Sequence, residues 1–188
     1  MNMPILKPAL FMIALTLAAC GTPDRYTAEP PTIAQKVRIA FGSVEVRKVS
    51  LPTYAAADEI TRQDASGKLV ADGDALWADS PERAVALELS RNLAQMTGAR
   101  VASEPWPFEA FPDARLEVRF ESMIAGADGQ FRSAGQYFVA VADGRRERFG
   151  LFDLAVPLSA KAGPQEIAQA RSQIILDLAS FIATKGLK

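Results

Sequence analysis

The chain has 188 residues, with 21 Lys and Arg, 22 Asp and Glu, a single Cys and no His. Without His, and with only one thiol, it can build neither a Ser-His-Asp nor a Cys-His triad, neither a His-ligated metal site nor an internal disulfide. Removing residues 1–19 takes away one Lys and no acid, leaving 20 basic against 22 acidic side chains, so no basic field draws in nucleic acid or anionic lipid.

At the amino terminus Lys7 supplies a short positive region, and residues 8–19 form an apolar run in which only Thr16 is polar. This is the build of a secretory signal. The run is too short to cross a bilayer, which takes about 20 apolar residues. Leu17-Ala18-Ala19-Cys20 resembles the bacterial lipobox, in which the cysteine thiol is alkylated by a diacylglyceryl group. The chain is then cut before the cysteine, and the new amino terminus receives an acyl chain such as palmitate. The other reading is an ordinary signal peptide with a Cys near its end. Residue 21 is Gly and not Asp. By resemblance to the sorting rule, in which Asp after the lipidated Cys marks inner-membrane retention, Gly21 points to the periplasmic face of the outer membrane. Pro23, Pro30 and Pro31 then mark residues 20–36 as an extended, lipidated tether.

Residues 37–188 are the length of one domain. Val37, Ile39, Phe41, Val44 and Val46 alternate with a slip at Gly42-Ser43, which predicts a strand with a bulge. Leu51-Pro52-Thr53-Tyr54 breaks that ladder and belongs to an edge or a loop. Glu59-Ile60-Thr61-Arg62 and Lys68-Leu69-Val70-Ala71 flank the polar turn Asp64-Ala65-Ser66-Gly67 and predict a hairpin. A helix starts near Asp79 or Ser80 as cap, with Pro81 in its first turn, and carries the stripe Val85, Leu89, Leu93 and Met96 to Gly98. Residues 99–103 then form a strand, reached by a right-handed crossover and paired in parallel.

Glu104-Pro105-Trp106-Pro107-Phe108 cannot be a central strand, because two prolines remove backbone donors. Its aromatics, with Phe111, either fold back over the sheet edge or form an exposed patch that docks a partner or a lipid tail. Three longer strands follow, over residues 115–124, 130–142 and 146–156, joined at Asp128-Gly129 and Asp143-Gly144 as an antiparallel meander. Leu116, Val118, Phe120 and Ser122 share one face of the first; Tyr137, Val139 and Val141 share one face of the second. Gly163-Pro164-Gln165-Glu166 opens a final helix with the stripe Ile167, Ala170, Ile174, Leu178 and Phe181, widened by Ile175 and Ile182, which packs beside the first helix. The expected fold class is thus α/β, a mixed β-sheet of about five to seven strands with two main helices.

The charged clusters read as ordinary surface. Asp72-Gly73-Asp74 matches the opening of a calcium loop but lacks the later Gly and Glu, so no metal is expected there. Glu117, Arg119 and Glu121 are the wet face of a half-buried strand, and Arg145-Arg146-Glu147-Arg148 is a solvated strand end. Gly-rich phosphate loops are missing.

Taken in order, the lipobox, a tether with Tyr26-Thr27, Leu51-Pro52-Thr53-Tyr54, Glu59-Ile60-Thr61-Arg62, Leu76-Trp77-Ala78-Asp79, the first helix and Val101-Ala102-Ser103-Glu104-Pro105-Trp106-Pro107 resemble the ABC-type transport auxiliary lipoproteins. The paraquat-inducible protein C-like lipoproteins are the best-known members of that family. Arg25-Tyr26 stands where the family often has two tyrosines, and Ser80 where a Pro is common. The resemblance implies a domain similar to the amino-terminal domain of TolB-like proteins, anchored in the outer membrane and not an enzyme. Its implied partners are a mammalian-cell-entry-domain subunit with an ABC permease and ATPase, which move lipids and support membrane integrity. A homo-oligomer is a further expectation, and no cofactor is implied. Trp106, Phe108, Phe111, Tyr54 and Trp77 are the candidate contacts for a partner or lipid. The alternative function is a periplasmic lipid or small-hydrophobe carrier.

Overall fold

A computed structural model describes residues 22–159 and 161–188; the signal sequence, Cys20 and Gly21 lie outside the described residues. The elements in order are β1 (Asp24–Tyr26), β2 (Ser43–Val46), α1 (Thr53–Ala56), β3 (Glu59–Gln63), β4 (Leu69–Trp77), α2 (Pro81–Thr97) and β5 (Arg100–Ser103). They continue with β6 (Ala114–Ala125), β7 (Gln130–Val141), β8 (Arg148–Pro157) and α3 (Pro164–Lys185). The fold is a mixed α/β domain with an eight-stranded sheet.

Strand β6 is the spine. One edge pairs antiparallel with β7, which pairs antiparallel with β8. The other edge is shared: β2 runs parallel to its start, β3 to its end, and the single bridge Ser50↔Arg119 lies between them. Outward from these lie β5 on β2, and β4 then β1 on β3. The parallel strand after α2 therefore exists, but its partner is β2 and not the strand that precedes the helix.

The turns follow the expected chemistry. Asp64 Oδ1 accepts from the Ser66 and Lys68 amides at 2.9 and 3.0 Å, and Gly67, Gly129 and Gly144 hold positive φ at +86, +74 and +67°, where a Cβ would be strained. Helix α2 ends at Gly98, whose amide donates to Ala94 O. Its start falls where expected, with Pro81 in the first turn, but the side-chain cap is missing. Ser80 occupies the cap position, yet neither it nor Asp79 caps the helix through its side chain, because Asp79 accepts from the Ser80 amide and pairs with Arg83.

Three further departures follow. The alternating residues 37–41 are not a strand: the Gly42 and Ser43 amides both donate to Asp113 Oδ2 at 2.9 Å, and the Val37 and Ala40 amides reach Met96 O and Leu187 O. Tyr54 falls in a one-turn helix. In β6 the register shifts between Phe120 and Ser122, so Met123 and Ala125 are buried in place of Ser122.

The two long helices cover one face of the sheet. Val85, Leu89, Leu93 and Met96 of α2 and Ile167, Ile174, Ile175, Leu178 and Ile182 of α3 are buried with Val44, Val46, Leu116, Val118, Tyr137 and Phe152. Phe181, expected on the buried stripe, is half-buried and meets Tyr137 edge-to-face at 6.1 Å. Gly135 lies opposite the β6 bulge; a Cβ there would sit 2.2 Å from Arg119 O and 2.8 Å from Phe152 Cζ. Gly135→Ala is expected to cost about 1–3 kcal/mol, as overpacked cores do, measured by chemical denaturation of the domain.

Candidate functional site

The amino-terminal segment is built into the sheet. β1 lies parallel on β4 with Asp24↔Ala75, Arg25↔Leu76 and Tyr26↔Trp77 in register. Arg25 Nη1 donates to Trp77 O at 3.0 Å, the Ala78 amide to Tyr26 O at 2.9 Å and Gln165 Nε2 to Thr27 O at 3.1 Å. The sequence predicts an extended tether over residues 20–36, whose sixteen residues from Gly21 on would reach at most roughly 50 Å. From Asp24 onward the segment is instead fixed, and only Gly21, Thr22 and Pro23 separate Cys20 from the strand. Four residue steps span at most about 13 Å.

Beneath β1 lies a polar knot. Arg171 of α3 is 4% exposed; its Nη2 donates to Glu88 Oε1 of α2 at 3.1 Å, and its guanidinium stacks 4.2 Å above the Trp77 ring. Arg171 Nε and Nη1 and Glu88 Oε2 are buried without a protein partner. A cavity of about 20 Å³ adjoins Arg171, Trp77 and Tyr54, room for one water. The Tyr54 hydroxyl accepts from the Met123 amide at 3.4 Å. Trp77 and Tyr54, named as contact candidates from sequence, are thus brought together, with Trp77 buried in the core and Tyr54 half-buried beside it.

At the other end of the sheet the proline-rich loop folds on itself. Trp106 Nε1 donates to Ala110 O at 2.7 Å, the Trp106 and Phe108 rings meet edge-to-face at 4.9 Å, and Arg100 of the edge strand β5 lies 5.2 Å from the Phe108 ring centre. Glu104 Oε2 fastens the loop by accepting from the Lys48 amide and from Arg47 Nε, each at 3.0 Å. The Lys48 amide first, and the Arg47 guanidinium next, hold the Glu104 carboxyl below its usual range. Trp106 is half-buried by these contacts, whereas Phe108, though it meets Trp106 and Arg100, stays 41% exposed. Phe111 is more exposed still, at 83%.

Sequence reasoning missed a second exposed surface. Edge strand β8 turns Phe149 and Leu151 outward, 80% and 72% exposed, with Phe149 opposite Phe138 and Leu151 opposite Gln136 on β7. Arg119 caps the Phe138 ring at 4.8 Å. The available signal was Phe149-Gly150-Leu151-Phe152-Asp153-Leu154, which is apolar on both faces where a half-wet strand would alternate.

The remaining charged segments do little chemically. Asp72-Gly73-Asp74 is absorbed into β4, and among the described residues no three potential ligands gather to hold a metal ion. Arg145 to Arg148 are exposed at the β7–β8 turn, where Arg146 takes φ +61° and lies over Phe41. No described helix is long and apolar enough to cross a membrane.

A family model for the ABC-type transport auxiliary lipoprotein component matches residues 26–183. No curated protein matches the chain in sequence. Among solved structures, one described as an uncharacterized protein is 20% identical with a TM-score of 0.70, covering 87% of this chain and 98% of its own. Protein XCC0632 from Xanthomonas campestris, of the DUF330 family, is 16% identical with a TM-score of 0.60, covering 87% and 91%. At these identities the likeness is one of fold.

Proposed function

Because the chain belongs to the ABC-type transport auxiliary lipoprotein components, we propose that it couples a lipid-carrying ABC transporter to the membrane in which Cys20 is anchored. The partner is a mammalian-cell-entry-domain subunit working with a permease and an ATPase, and the anchoring membrane is the outer one, with the domain on its periplasmic face. The family match over residues 26–183 carries this reading. Three observations support it. Cys20, which ends the lipobox-like Leu17-Ala18-Ala19-Cys20, stands four positions before the start of β1 in the sequence. That strand ties the chain from Asp24 onward into the sheet, so a pull on a lipid at Cys20 would reach the fold through a short connection. The exposed side chains Phe111, Phe149 and Leu151 offer apolar area free of the core, and interface cores draw on such area. No catalytic role is assigned.

Co-isolation tests the proposal. Solubilised in mild detergent from its native envelope, the acylated protein is expected to bring down a mammalian-cell-entry-domain subunit. Recovery of peptidoglycan enzymes alone would argue against it.

A further inference from the structure

The direction in which β1 leaves the sheet places one groove beside the anchor. β1 and β4 are parallel with Asp24 opposite Ala75, so the chain before Asp24 heads toward the start of β4. Near the start of β4 lies Val70, which pairs with Arg62. Arg62 in turn pairs with Ala125 at the end of β6. The groove at that end has a volume of about 530 Å³. Its β3 wall lies two strands from β1, about 10 Å at the usual strand spacing, so the groove opens at the end of the sheet toward which the chain before Asp24 heads.

Its lining joins two chemistries. Val70, Leu158 and Ile167 supply apolar surface, while Arg62 and Lys161 bring positive charge. Both cations are exposed, and neither enters an ion pair among the described residues. Helix α3 begins beside it at Pro164, adding the positive end of its dipole. The acids nearby are already engaged. Asp64 accepts from Ser66 and Lys68; Glu166 accepts from the Ser159 amide and hydroxyl, which hold its carboxyl below the usual range.

We propose that this groove takes the phosphate-bearing headgroup of a phospholipid in the leaflet that holds the acyl chains of Cys20, an inference that rests on the acylation reading above. The phosphate meets Arg62 and Lys161, and the glycerol with the roots of its acyl chains meets the apolar floor. With 20 basic against 22 acidic residues after cleavage, the domain has no long-range pull toward lipid, so the site works only once the anchor delivers it to the surface. The Phe111 loop then points away from the membrane. β6 separates the two ends by twelve residues, about 36 Å at 3.3 Å per step.

The test uses full-length protein, with Cys20 acylation verified by intact mass, in nanodiscs of phosphatidylethanolamine and phosphatidylglycerol. Benzoylphenylalanine in place of Val70 is expected to form lipid adducts on illumination, and in place of Phe111 none. Arg62→Glu with Lys161→Glu should lower the adduct yield at position 70 roughly tenfold without changing the melting temperature, since both side chains are exposed. Excess inorganic phosphate should leave the yield unchanged. The proposal is overturned by no adduct at position 70, equal yields at 70 and 111, indifference to the charge reversal, suppression by inorganic phosphate, or adducts to a second copy of the chain. An unmodified Cys20 would remove the anchor reading and this site together; a modified Cys20 without adducts would remove the site alone.

Discussion

A Cys20→Ser variant is expected to leave the membrane fraction almost entirely, accumulating as unprocessed or soluble protein. The thiolate is the nucleophile that accepts the diacylglyceryl group, and a serine hydroxyl offers no comparable one. What is lost is large: each buried methylene contributes about 0.8 kcal/mol, and two or more acyl chains make anchoring effectively permanent. The uncleaved apolar run of residues 8–19 does not replace it, being well short of the about 20 residues that span a bilayer. Folding should be untouched, because β1 begins only at Asp24. Membrane flotation with a thermal melt separates the two properties, and unchanged flotation would contradict the lipobox reading.

The second large effect lies in the polar knot. Glu88→Leu strands the Arg171 guanidinium, which is 4% exposed and whose only hydrogen-bonded side-chain partner among the described residues is Glu88. Removing one partner of a buried pair typically costs about 3–5 kcal/mol, because a charge remains out of water without compensation. For a domain of this size that is a fall of roughly 10 °C in melting temperature. Glu88→Leu combined with Arg171→Met is expected to recover most of it, since replacing both charges by apolar groups is often neutral or stabilising. Arg171→Met also gives up the stacking on Trp77 at 4.2 Å, a smaller term of about 0.5–2 kcal/mol. A double variant as unstable as Glu88→Leu alone would show that the pair itself holds α2 to α3.

The parts of the fold that were legible in sequence are those with local causes. The hairpin glycines, the α2 stop at Gly98 and the meander follow from turn chemistry and alternation within a few residues. The illegible parts depend on distant partners. β1 is only Asp24–Tyr26, set among prolines, and exists because β4 runs on through Asp72-Gly73-Asp74 to Trp77 and offers it an edge. The slip at Gly42 looked like a bulge because nothing nearby announces that Asp113, seventy residues on, takes both amides. Arg171 stood on the α3 stripe, four residues after Ile167 and three before Ile174. A charge in that register marks a buried pair, but its partner Glu88 on α2 cannot be named before the helices are packed. Of the contact candidates, Trp77 is buried because α3 packs over it and sets Arg171 on its ring, which no residue near it in sequence announces.

The proposed coupling is tested most directly by placing photo-reactive benzoylphenylalanine at Phe111 and at Phe149, one at a time, in the native host. Both side chains are exposed, so neither substitution should disturb the fold. Identification of the cross-linked partner by mass spectrometry is predicted to give a mammalian-cell-entry-domain subunit of an ABC transporter from at least one position. Cross-links from both positions that reach only peptidoglycan enzymes or other proteins outside any transporter would contradict the account.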